Sequence, residues 1–255
     1  MAIVFEPTKG LTGKPLHYCP GCNHGIIHRI IAEVMVEMGI LDSTIGVASV
    51  GCTYNSYDYF ACDMVQAAHG RAPAVATGIK RTHKDKMVFT YQGDGDLASI
   101  GTAEIIHAAA RGEKICTFFV NNAVYGMTSG QMAPTTLLGQ VTTTSPFGRD
   151  ASYQGYPINV AELISNLTGA VYVERVCLTD YKNIMAAKKA VRKAFEVQQS
   201  GKGFAFIEFL STCPTNWGKD PIDSLEWLKE KMIPQYPLGV FKDTTGDDAN
   251  EEVKA

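Results

Sequence analysis

Short apolar runs alternate with longer segments of helical periodicity along most of this chain. The runs are apolar at nearly every position and cover residues 44–50, 87–92, 115–120, 170–176 and 204–210. Helical periodicity covers residues 27–39, 71–83, 98–112, 160–169 and 181–201. Strands that are apolar on both faces and alternate with helices are typical of a parallel sheet covered on both sides. The pattern predicts an α/β fold with a doubly wound, mostly parallel sheet.

Length, charge and chain ends limit the class of protein. The 255 residues are predicted to form one domain over 1–241, followed by a polar, acidic tail over 242–255. The formal net charge is −3 and basic residues do not cluster, so we expect no nucleic-acid partner. No apolar run reaches the roughly 18 residues of a membrane helix, and the first residues lack a secretory signal. These observations favour a cytoplasmic protein without a membrane partner.

A glycine-rich turn, QGDGDLA, joins a predicted strand to a predicted helix. Gly93, Gly95 and Ala98 fit the G-x-G-x-x-A pattern of a dinucleotide-binding turn. Asp94 and Asp96, however, would place negative charge where a pyrophosphate must approach. A divalent cation between carboxylate and diphosphate removes this conflict, and Mg²⁺ prefers such oxygen ligands. The alternative is a structural turn whose side chains cap the helix.

The next predicted strand ends in Asn121 and Asn122, which can offer a second oxygen ligand. A GDG turn followed by an Asn pair, each after a strand, resembles the cofactor motif of thiamine-diphosphate enzymes. The resemblance implies a sheet of the thiamine-diphosphate-binding type, with Mg²⁺ bound by Asp94, the Asn122 side chain and the Val124 carbonyl. It also implies that the diphosphate is lined by Gly95, Asp96, Gly126 and Met127.

Four of the seven cysteines lie in Gly- or Pro-rich, turn-like segments, namely Cys19, Cys22, Cys52 and Cys213. Four thiolates suit either zinc or an iron–sulfur cluster, and their spacing does not decide between the two. Cys116 and Cys177 lie in apolar runs and are expected in the core, and Cys62 is expected to be structural. If the chain performs thiamine chemistry on a 2-oxoacid, a cluster supplies the electron acceptor that redox-inert zinc cannot.

The motifs taken together resemble one family. Over residues 15–240 the chain is similar to the β subunits of 2-oxoacid:ferredoxin oxidoreductases, through YCPGCNHG, SVGCTYN, AAHGRAPAVATGIK, YQGDGDL, FFVNNAVYGMTSGQ and STCPTNWG. The resemblance implies a 4Fe-4S cluster on Cys19, Cys22, Cys52 and Cys213. It implies further cofactor contacts at Val50, Gly51, Cys52, Thr53 and His69.

The same resemblance implies a reaction and partners. The reaction would oxidise a 2-oxoacid with CoA and ferredoxin, giving an acyl-CoA, CO₂ and reduced ferredoxin. An α subunit, and γ or δ subunits of ferredoxin type, would complete the enzyme. The carboxylate that activates thiamine diphosphate is expected on a partner subunit, because no Glu of this chain stands in a matching context.

The segment after Asn122 bears on the substrate. Between Ala123 and Gly148 it contains no Lys or Arg, whereas a 2-oxoglutarate site needs a cation for the distal carboxylate. Ser129 is the candidate specificity residue. Met127, Met132, Leu137 and Leu138 are expected to offer an apolar wall, with the alternative that they are core residues. A 2-oxoisovalerate-type substrate is therefore favoured over 2-oxoglutarate, unless a partner supplies the cation.

Two other classes of protein stay open at this point. A non-oxidative thiamine-dependent decarboxylase would share the cofactor motif but would need no set of four cysteines. A zinc-stabilised, Rossmann-like binding module would use the cysteines without catalysing a reaction. The content of iron and acid-labile sulfide distinguishes both classes from an oxidoreductase, because neither rival requires a cluster.

Overall fold

A seven-stranded sheet forms the centre of the protein, whose computed structural model describes residues 6–246. The strands are β1 (Thr44–Ala48), β2 (Asp63–Gln66), β3 (Met87–Gly93), β4 (Cys116–Asn121), β5 (Ala170–Cys177), β6 (Phe204–Leu210) and β7 (Gly239–Asp243). Their order across the sheet is β2-β1-β3-β4-β6-β5-β7, and all neighbours are parallel except β5 and β7. The predicted α/β fold with a mostly parallel sheet is confirmed.

Helices cover both faces of this sheet. Within residues 6–246 they are α1 (His24–Glu37), α2 (Ser56–Tyr59), α3 (Ala72–Thr82), α4 (Thr102–Ala110), α5 (Ala151–Gln154), α6 (Val160–Ser165), α7 (Tyr181–Ser200), α8 (Pro214–Trp217), α9 (Pro221–Trp227) and α10 (Ile233–Gln235). Helices α1 and α7 pack on one face, and α3, α4 and α6 pack on the other. No helix in this part of the chain is long and apolar enough to cross a bilayer.

The central strands are apolar at consecutive positions because both of their faces are buried. On β3, Phe89 and Tyr91 pack in the core beneath α1 and α7, whereas Val88 packs beneath α3 and α4. On β4, Phe118 and Phe119 divide between the same two cores. Alternate side chains of a strand point to opposite faces, so a sheet covered twice needs an apolar residue at every position.

The helix predicted over 98–112 is interrupted near its start. A π-helical turn over Asp96–Ile100 ends at Gly101, whose N–H donates to the Asp96 carbonyl oxygen at 2.9 Å. A Cβ at Gly101 would lie 2.5 Å from that oxygen, so this close approach requires glycine. Ala98 and Ile105, on either side of the break, still pack in one core. Apolar periodicity therefore predicts one continuous helix where the chain forms two segments.

Two edge strands were not predicted from the sequence. Strand β2 is short and mostly exposed, and β7 carries no apolar run, so neither shows the strand pattern. Lys242 and Asp243 of β7 pair with β5, which extends the sheet two residues into the segment predicted as a tail. Residues 247–255 of that predicted tail lie outside the described residues.

The chain changes direction across the sheet between β2 and β3. It moves outward from β1 to β2 and then returns to β3 on the other side of β1. Ligands of doubly wound sheets bind at the carboxyl ends of the strands that flank such a point. Val50 follows β1, Asp94 follows β3 and Asn122 follows β4. The fold thus brings three predicted site segments to one edge of the sheet.

Candidate functional site

A cavity opens at this edge, beyond the carboxyl ends of β1, β3 and β4. All nine residues predicted to contact a cofactor line it, namely Val50, Gly51, Cys52, Thr53, His69, Gly95, Asp96, Gly126 and Met127. The predicted Mg²⁺ residues Asp94, Asn122 and Val124 line it as well. Residues that were not predicted, among them His24, Ser99, Tyr125 and Thr128, complete the wall. The sequence motifs therefore meet in one cavity although they lie far apart along the chain.

Oxygen atoms converge where a hard cation is expected. One terminal atom of the Asn122 amide lies 2.8 Å from the Val124 carbonyl oxygen and 3.1 Å from Asp94 Oδ2. With the amide nitrogen at this point, the side chain donates to both oxygens, whereas an amide oxygen there faces these two acceptors and one longer donor, the Val124 N–H at 3.3 Å. Mg²⁺ bonds of 2.0–2.1 Å place adjacent octahedral ligands about 2.9 Å apart. With the amide oxygen at this point, its distances to the other two oxygens are those that two ligands of one Mg²⁺ ion would have.

Asp94 itself is buried, and the backbone N–H groups of Asn122 and Val124 are among the donors to its carboxylate. Gly95 N–H donates to its Oδ1 at 2.8 Å, and the Thr135 hydroxyl lies 3.3 Å from its Oδ2. Burial raises the pKa of this carboxyl to about 7, although these hydrogen bonds oppose the shift. The ionised carboxylate is therefore poorly stabilised by the protein alone, which is the electrostatic condition that a bound cation relieves.

The environment of Asp96 differs from that of Asp94, because both carboxylate oxygens of Asp96 accept short hydrogen bonds from the protein. Its Oδ1 accepts from Val50 N at 3.2 Å, Gly70 N at 2.8 Å and His69 Nδ1 at 2.7 Å. Its Oδ2 accepts from Gln92 Nε2 at 2.8 Å. The carboxylate thus ties the end of β1 and the segment after β2 to β3. Although Asp96 lines the cavity, its side chain is an anchor of the cavity wall.

Asn121 and a buried ionic network shape the turn after β4. Asn121 Nδ2 donates to Glu208 Oε1 at 2.8 Å, and its Oδ1 accepts from Ala123 N at 3.1 Å. Ala123 has a φ of 59°, which is uncommon for a residue other than glycine. Glu208 also accepts from the buried Arg175 at 2.9 Å. The network holds the turn in the conformation that brings the Val124 carbonyl toward Asn122.

The four predicted cluster cysteines lie on three segments beside the cavity. Cys19 and Cys22 form a turn before α1, Cys52 follows β1, and Cys213 follows β6, and all four are free thiols. Burial and, to a lesser extent, the neighbouring thiols raise the pKa of Cys22 and of Cys52 to about 12. Electrostatic coupling of this kind requires the thiols to lie near one another.

Hydrogen bonds hold these cysteine segments together. Thr212 donates from its backbone N–H to Asn23 Oδ1 at 3.0 Å and from its hydroxyl to the Gly21 carbonyl at 2.7 Å. A Cβ at Gly126 would lie 3.2 Å from Cys52 Sγ and 3.6 Å from Cys213 Sγ. Across the described residues, no three His, Cys, Asp or Glu side chains are close enough together to hold a metal ion. The thiols are thus neighbours without the tight spacing of a tetrahedral zinc site.

The other cysteines match their predicted environments. Cys116 and Cys177 are buried in β4 and β5, as predicted for core residues. Cys62 is half-buried, and its Sγ contacts Met64 Sδ at 3.7 Å. None of these three residues lines the cavity.

Only one of the four residues expected to form an apolar wall lines the cavity. That residue is Met127, whose side chain is exposed at the rim. Leu137 packs in a core cluster with Tyr236, and Leu138 is exposed away from the cavity. Met132 is not a lining residue either, so the expectation of a wall from all four residues is wrong. Ser129 is exposed near this rim and has a φ of 82°.

Arg149, the first cation after this segment, does not face the cavity. It is buried, and its guanidinium donates to the carbonyls of Pro134 at 2.9 Å, Thr136 at 2.6 Å, Gly155 at 3.0 Å and Tyr156 at 2.8 Å. The side chain is therefore used to fix the conformation of the loop between β4 and α6. No Lys or Arg appears among the described residues that line the cavity.

Sequence reasoning did not find His24. Its side chain is buried, lines the cavity and has its Nδ1 2.6 Å from the Tyr91 hydroxyl. Burial lowers the pKa of His24 to about 3, so the imidazole is neutral. Its position directly after the CPGC motif was the available signal, but a lone histidine in a helix is usually structural.

Comparison with known proteins identifies the class of this domain. The family described as "Thiamine pyrophosphate enzyme, C-terminal TPP binding domain" matches residues 43–209. The chain is therefore a thiamine-diphosphate-binding domain, which agrees with the motifs at the carboxyl edge of its sheet.

Curated relatives then define the family. The chain is 52% identical to the ketoisovalerate oxidoreductase subunit VorA of Methanothermobacter thermautotrophicus, over 96% of this chain and 51% of the relative. It is 35% identical to the 2-oxoglutarate synthase subunit KorB of Methanocaldococcus jannaschii, over 94% of this chain and 85% of the relative. The chain belongs to the β-type subunits of the 2-oxoacid:ferredoxin oxidoreductases. It spans about half the length of the VorA relatives.

A solved structure agrees with this assignment at the level of the fold. The 2-oxoglutarate:ferredoxin oxidoreductase from Magnetococcus marinus, solved with 2-oxoglutarate, coenzyme A and succinyl-CoA, superposes with a TM-score of 0.78. The match covers 95% of this chain and 86% of the other chain, at 24% identity. Identity at this level supports a shared fold and carries no information about the substrate.

The contrast between Asp94 and Asp96 predicts opposite effects on stability. The Asp94 pKa is raised in the folded chain, so its ionisation destabilises the fold as pH rises from about 3.8 to about 7. In EDTA at pH 8, Asp94→Asn is expected to stabilise the chain by up to about 4 kcal/mol, at about 1.4 kcal/mol per pKa unit. Asp96→Asn is expected to destabilise it by about 1–3 kcal/mol, because a donor then replaces an acceptor. Urea unfolding measures both values.

The pH dependence provides the control for this prediction. The advantage of Asp94→Asn is expected to shrink below about pH 4, where the wild-type carboxyl is protonated in both folded and unfolded states. A wild-type chain that is more stable than Asp94→Asn at pH 8 in EDTA would show that the protein itself stabilises the Asp94 carboxylate.

Proposed function

We propose that this chain is the thiamine-diphosphate-binding subunit of an enzyme that oxidatively decarboxylates a 2-oxoacid. In the overall reaction a 2-oxoacid and CoA give an acyl-CoA and CO₂, and two electrons pass singly to ferredoxin. The observation that carries the proposal is that the cation-type oxygen group and Cys52, one of four neighbouring cysteines, line a single cavity. Cys52 belongs to the cavity wall and to the cysteine set at once.

The oxygen group fits Mg²⁺, and the cavity fits a diphosphate. Asp94, the Asn122 side chain and the Val124 carbonyl would hold the ion. Gly95, Gly126 and Met127 would line the diphosphate, which the amino end of the following helical turn favours electrostatically. Thiamine diphosphate, when bound, supplies the carbanion chemistry that releases CO₂ from a 2-oxoacid.

The chemistry of the reaction favours a 4Fe-4S cluster over a zinc ion on the four cysteines. Cys19, Cys22, Cys52 and Cys213 offer four free thiols on three segments, which is the ligand type of such a cluster. A cluster held by Cys52 would adjoin the cofactor cavity directly. It would accept electrons one at a time and pass them to ferredoxin, a role that zinc cannot fill. This requirement disfavours a non-oxidative decarboxylase.

No carboxylate among the described lining residues is available to activate thiamine diphosphate, which supports the proposal that a partner subunit supplies one. Among the described lining residues the only carboxylates are Asp94 and Asp96, and both are already assigned. The group that activates thiamine diphosphate is therefore proposed to be a Glu of an α subunit. Subunits γ and δ of ferredoxin type, together with ferredoxin itself, would carry the electrons away. A cytoplasmic location is part of the same proposal.

The substrate proposed is of the 2-oxoisovalerate type. The Arg149 guanidinium donates its hydrogen bonds to backbone carbonyl groups. No Lys or Arg among the described residues lines the cavity. A distal carboxylate would thus stay unpaired on this side of the site, at considerable cost. Ser129, exposed beside the rim residue Thr128, is proposed as the position that tunes specificity. A 2-oxoglutarate enzyme is the alternative and would need its cation from a partner subunit.

The Mg²⁺ assignment predicts the behaviour of two aspartates. Asp94→Asn is expected to weaken Mg²⁺-dependent binding of thiamine diphosphate by at least about 100-fold, because a direct ligand matters at least as much as a supporting residue. Asp63→Asn, on the exposed edge strand β2, is the control and should bind normally. Titration calorimetry with and without Mg²⁺ measures both. Equal affinities of the two variants would overturn the assignment.

The cluster assignment predicts a different pattern among the cysteine variants. Anaerobically purified wild type is expected to contain about four iron and four sulfide per chain. Cys213→Ser should lose most of both while keeping at least part of its affinity for thiamine diphosphate, and Cys62→Ser should retain both. Stoichiometric zinc without sulfide in the wild type would instead favour a zinc-stabilised binding module.

The substrate proposal is tested on the enzyme assembled with its partner subunits, since the chain alone is expected to be inactive. The ratio of kcat/KM for 2-oxoisovalerate to that for 2-oxoglutarate should exceed one, because discrimination lies in this ratio. Ser129→Lys is expected to shift the ratio about tenfold toward 2-oxoglutarate, the scale of one added charge-assisted bond. A wild-type preference for 2-oxoglutarate would show that a partner supplies the missing cation.

A further inference from the structure

The cavity wall contains one buried polar side chain with an unpaired nitrogen atom, that of His24. Its Nδ1 lies 2.6 Å from the Tyr91 hydroxyl, whereas its Nε2 has no hydrogen-bond partner in the described part of the chain. The side chain is 98% buried, and the residue lines the cavity just after the Cys19–Cys22 turn. A polar atom kept unpaired at the wall of a cavity indicates a partner in the ligand.

Tyr91 determines which nitrogen of His24 carries the proton. Tyr91 is fully buried, and its hydroxyl contacts only His24 among the described hydrogen-bonding groups. If this hydroxyl accepted a proton from Nδ1, its own hydrogen would be left unpaired in the core, at a cost of about 1–3 kcal/mol. The hydroxyl therefore donates to Nδ1, which leaves the ring hydrogen on Nε2. His24 thus presents an N–H donor to the cavity.

The donor is held in place before any ligand binds. The Tyr18 ring stacks on the His24 ring with centroids 4.5 Å apart at 15°. His24 begins α1, and the preceding Asn23 accepts from Thr212 N at 3.0 Å. A donor fixed in a water-poor wall stabilises negative charge more than a mobile one, because no reorganisation is needed when the charge develops.

We propose that His24 is a catalytic residue that donates its Nε2–H to the keto oxygen of the 2-oxoacid, an inference that rests on the proposed function. Negative charge develops on this oxygen when the keto carbon is attacked, and an N–H donor already fixed beside it stabilises that charge. Tyr91 is the positioning residue that keeps His24 in the donating form. The diphosphate is the other source of anionic oxygen in this cavity, and the experiment distinguishes the two.

The test uses four variants of the enzyme assembled with its partners. His24→Leu removes the donor, and His24→Gln keeps an N–H near the same point. Tyr91→Phe removes only the hydroxyl that fixes the tautomer. Tyr59→Phe is the matched control, because its hydroxyl pairs with His17 Nδ1 at 2.7 Å and neither residue lines the cavity. Iron content is measured for every variant, since His24 lies two residues from Cys22.

Two measurements are made on each variant. One is the dissociation constant of thiamine diphosphate with Mg²⁺. The other is the single-turnover rate of 2-oxoisovalerate consumption at saturating substrate and cofactor, without CoA. We expect the rate to fall about 10²–10³-fold in His24→Leu, as for the loss of one oxyanion donor, and about tenfold in Tyr91→Phe. His24→Gln should keep most of the rate, Tyr59→Phe all of it, and every cofactor dissociation constant should be unchanged.

A readout independent of turnover completes the test. The infrared stretching frequency of the ¹³C-labelled keto carbonyl is recorded with the enzyme carrying an unreactive cofactor analogue. Loss of the donor should raise this frequency in His24→Leu and Tyr91→Phe but not in Tyr59→Phe. If His24→Leu weakens only the binding of thiamine diphosphate, the donor serves the diphosphate and the proposal is wrong. Unchanged rates and frequencies also overturn it, whereas a wild type without 2-oxoacid turnover contradicts the proposed function instead.

Discussion

The cavity depends on the hydrogen bonds to one buried carboxylate, that of Asp96. Its oxygens accept from the end of β1, from the segment after β2 and from β3, so three separate stretches of chain meet at one side chain. Parallel strands bring their carboxyl ends to one edge, but they do not fix how the following loops lie relative to one another. A fully paired carboxylate supplies that constraint, because moving any of these segments would leave a buried charge short of donors.

Asp94, two residues earlier, lies in the same turn but in a contrasting environment. Its pKa is raised because burial outweighs the hydrogen bonds that it accepts, while the Asn122 amide and the Val124 carbonyl lie close to it. Such an arrangement is costly for folding, which is typical of functional sites. The pattern GDGD thus combines a structural carboxylate with one proposed to bind a cation, and burial and hydrogen bonding distinguish the two.

The sequence predicts well what is encoded by periodicity and by short motifs. The apolar runs predict the central strands, and the motifs at the strand ends predict the segments that form the site. The break at Gly101 and the edge strands β2 and β7 were missed because they leave the apolar pattern unchanged or lie outside it. The loop after β4 was misjudged because Leu137 packs in the core and Leu138 is exposed, in a loop held by hydrogen bonds such as that from Arg149 to the Thr136 carbonyl. Tertiary hydrogen bonds of this kind have no local signal.

The lack of a local sequence signal also explains why His24 was missed. The cavity and the cysteine set, moreover, share residues. His24 follows Cys22 in sequence and faces the cavity in space, and Cys52 belongs to both groups. Gly126 lines the cavity, and a Cβ there would crowd the Cys52 sulfur at 3.2 Å and contact the Cys213 sulfur at 3.6 Å. The cavity wall and the cysteine set therefore adjoin at Cys52 and Gly126. The absence of a side chain at Gly126 therefore keeps the cavity open and leaves room for the Cys52 sulfur at the same position.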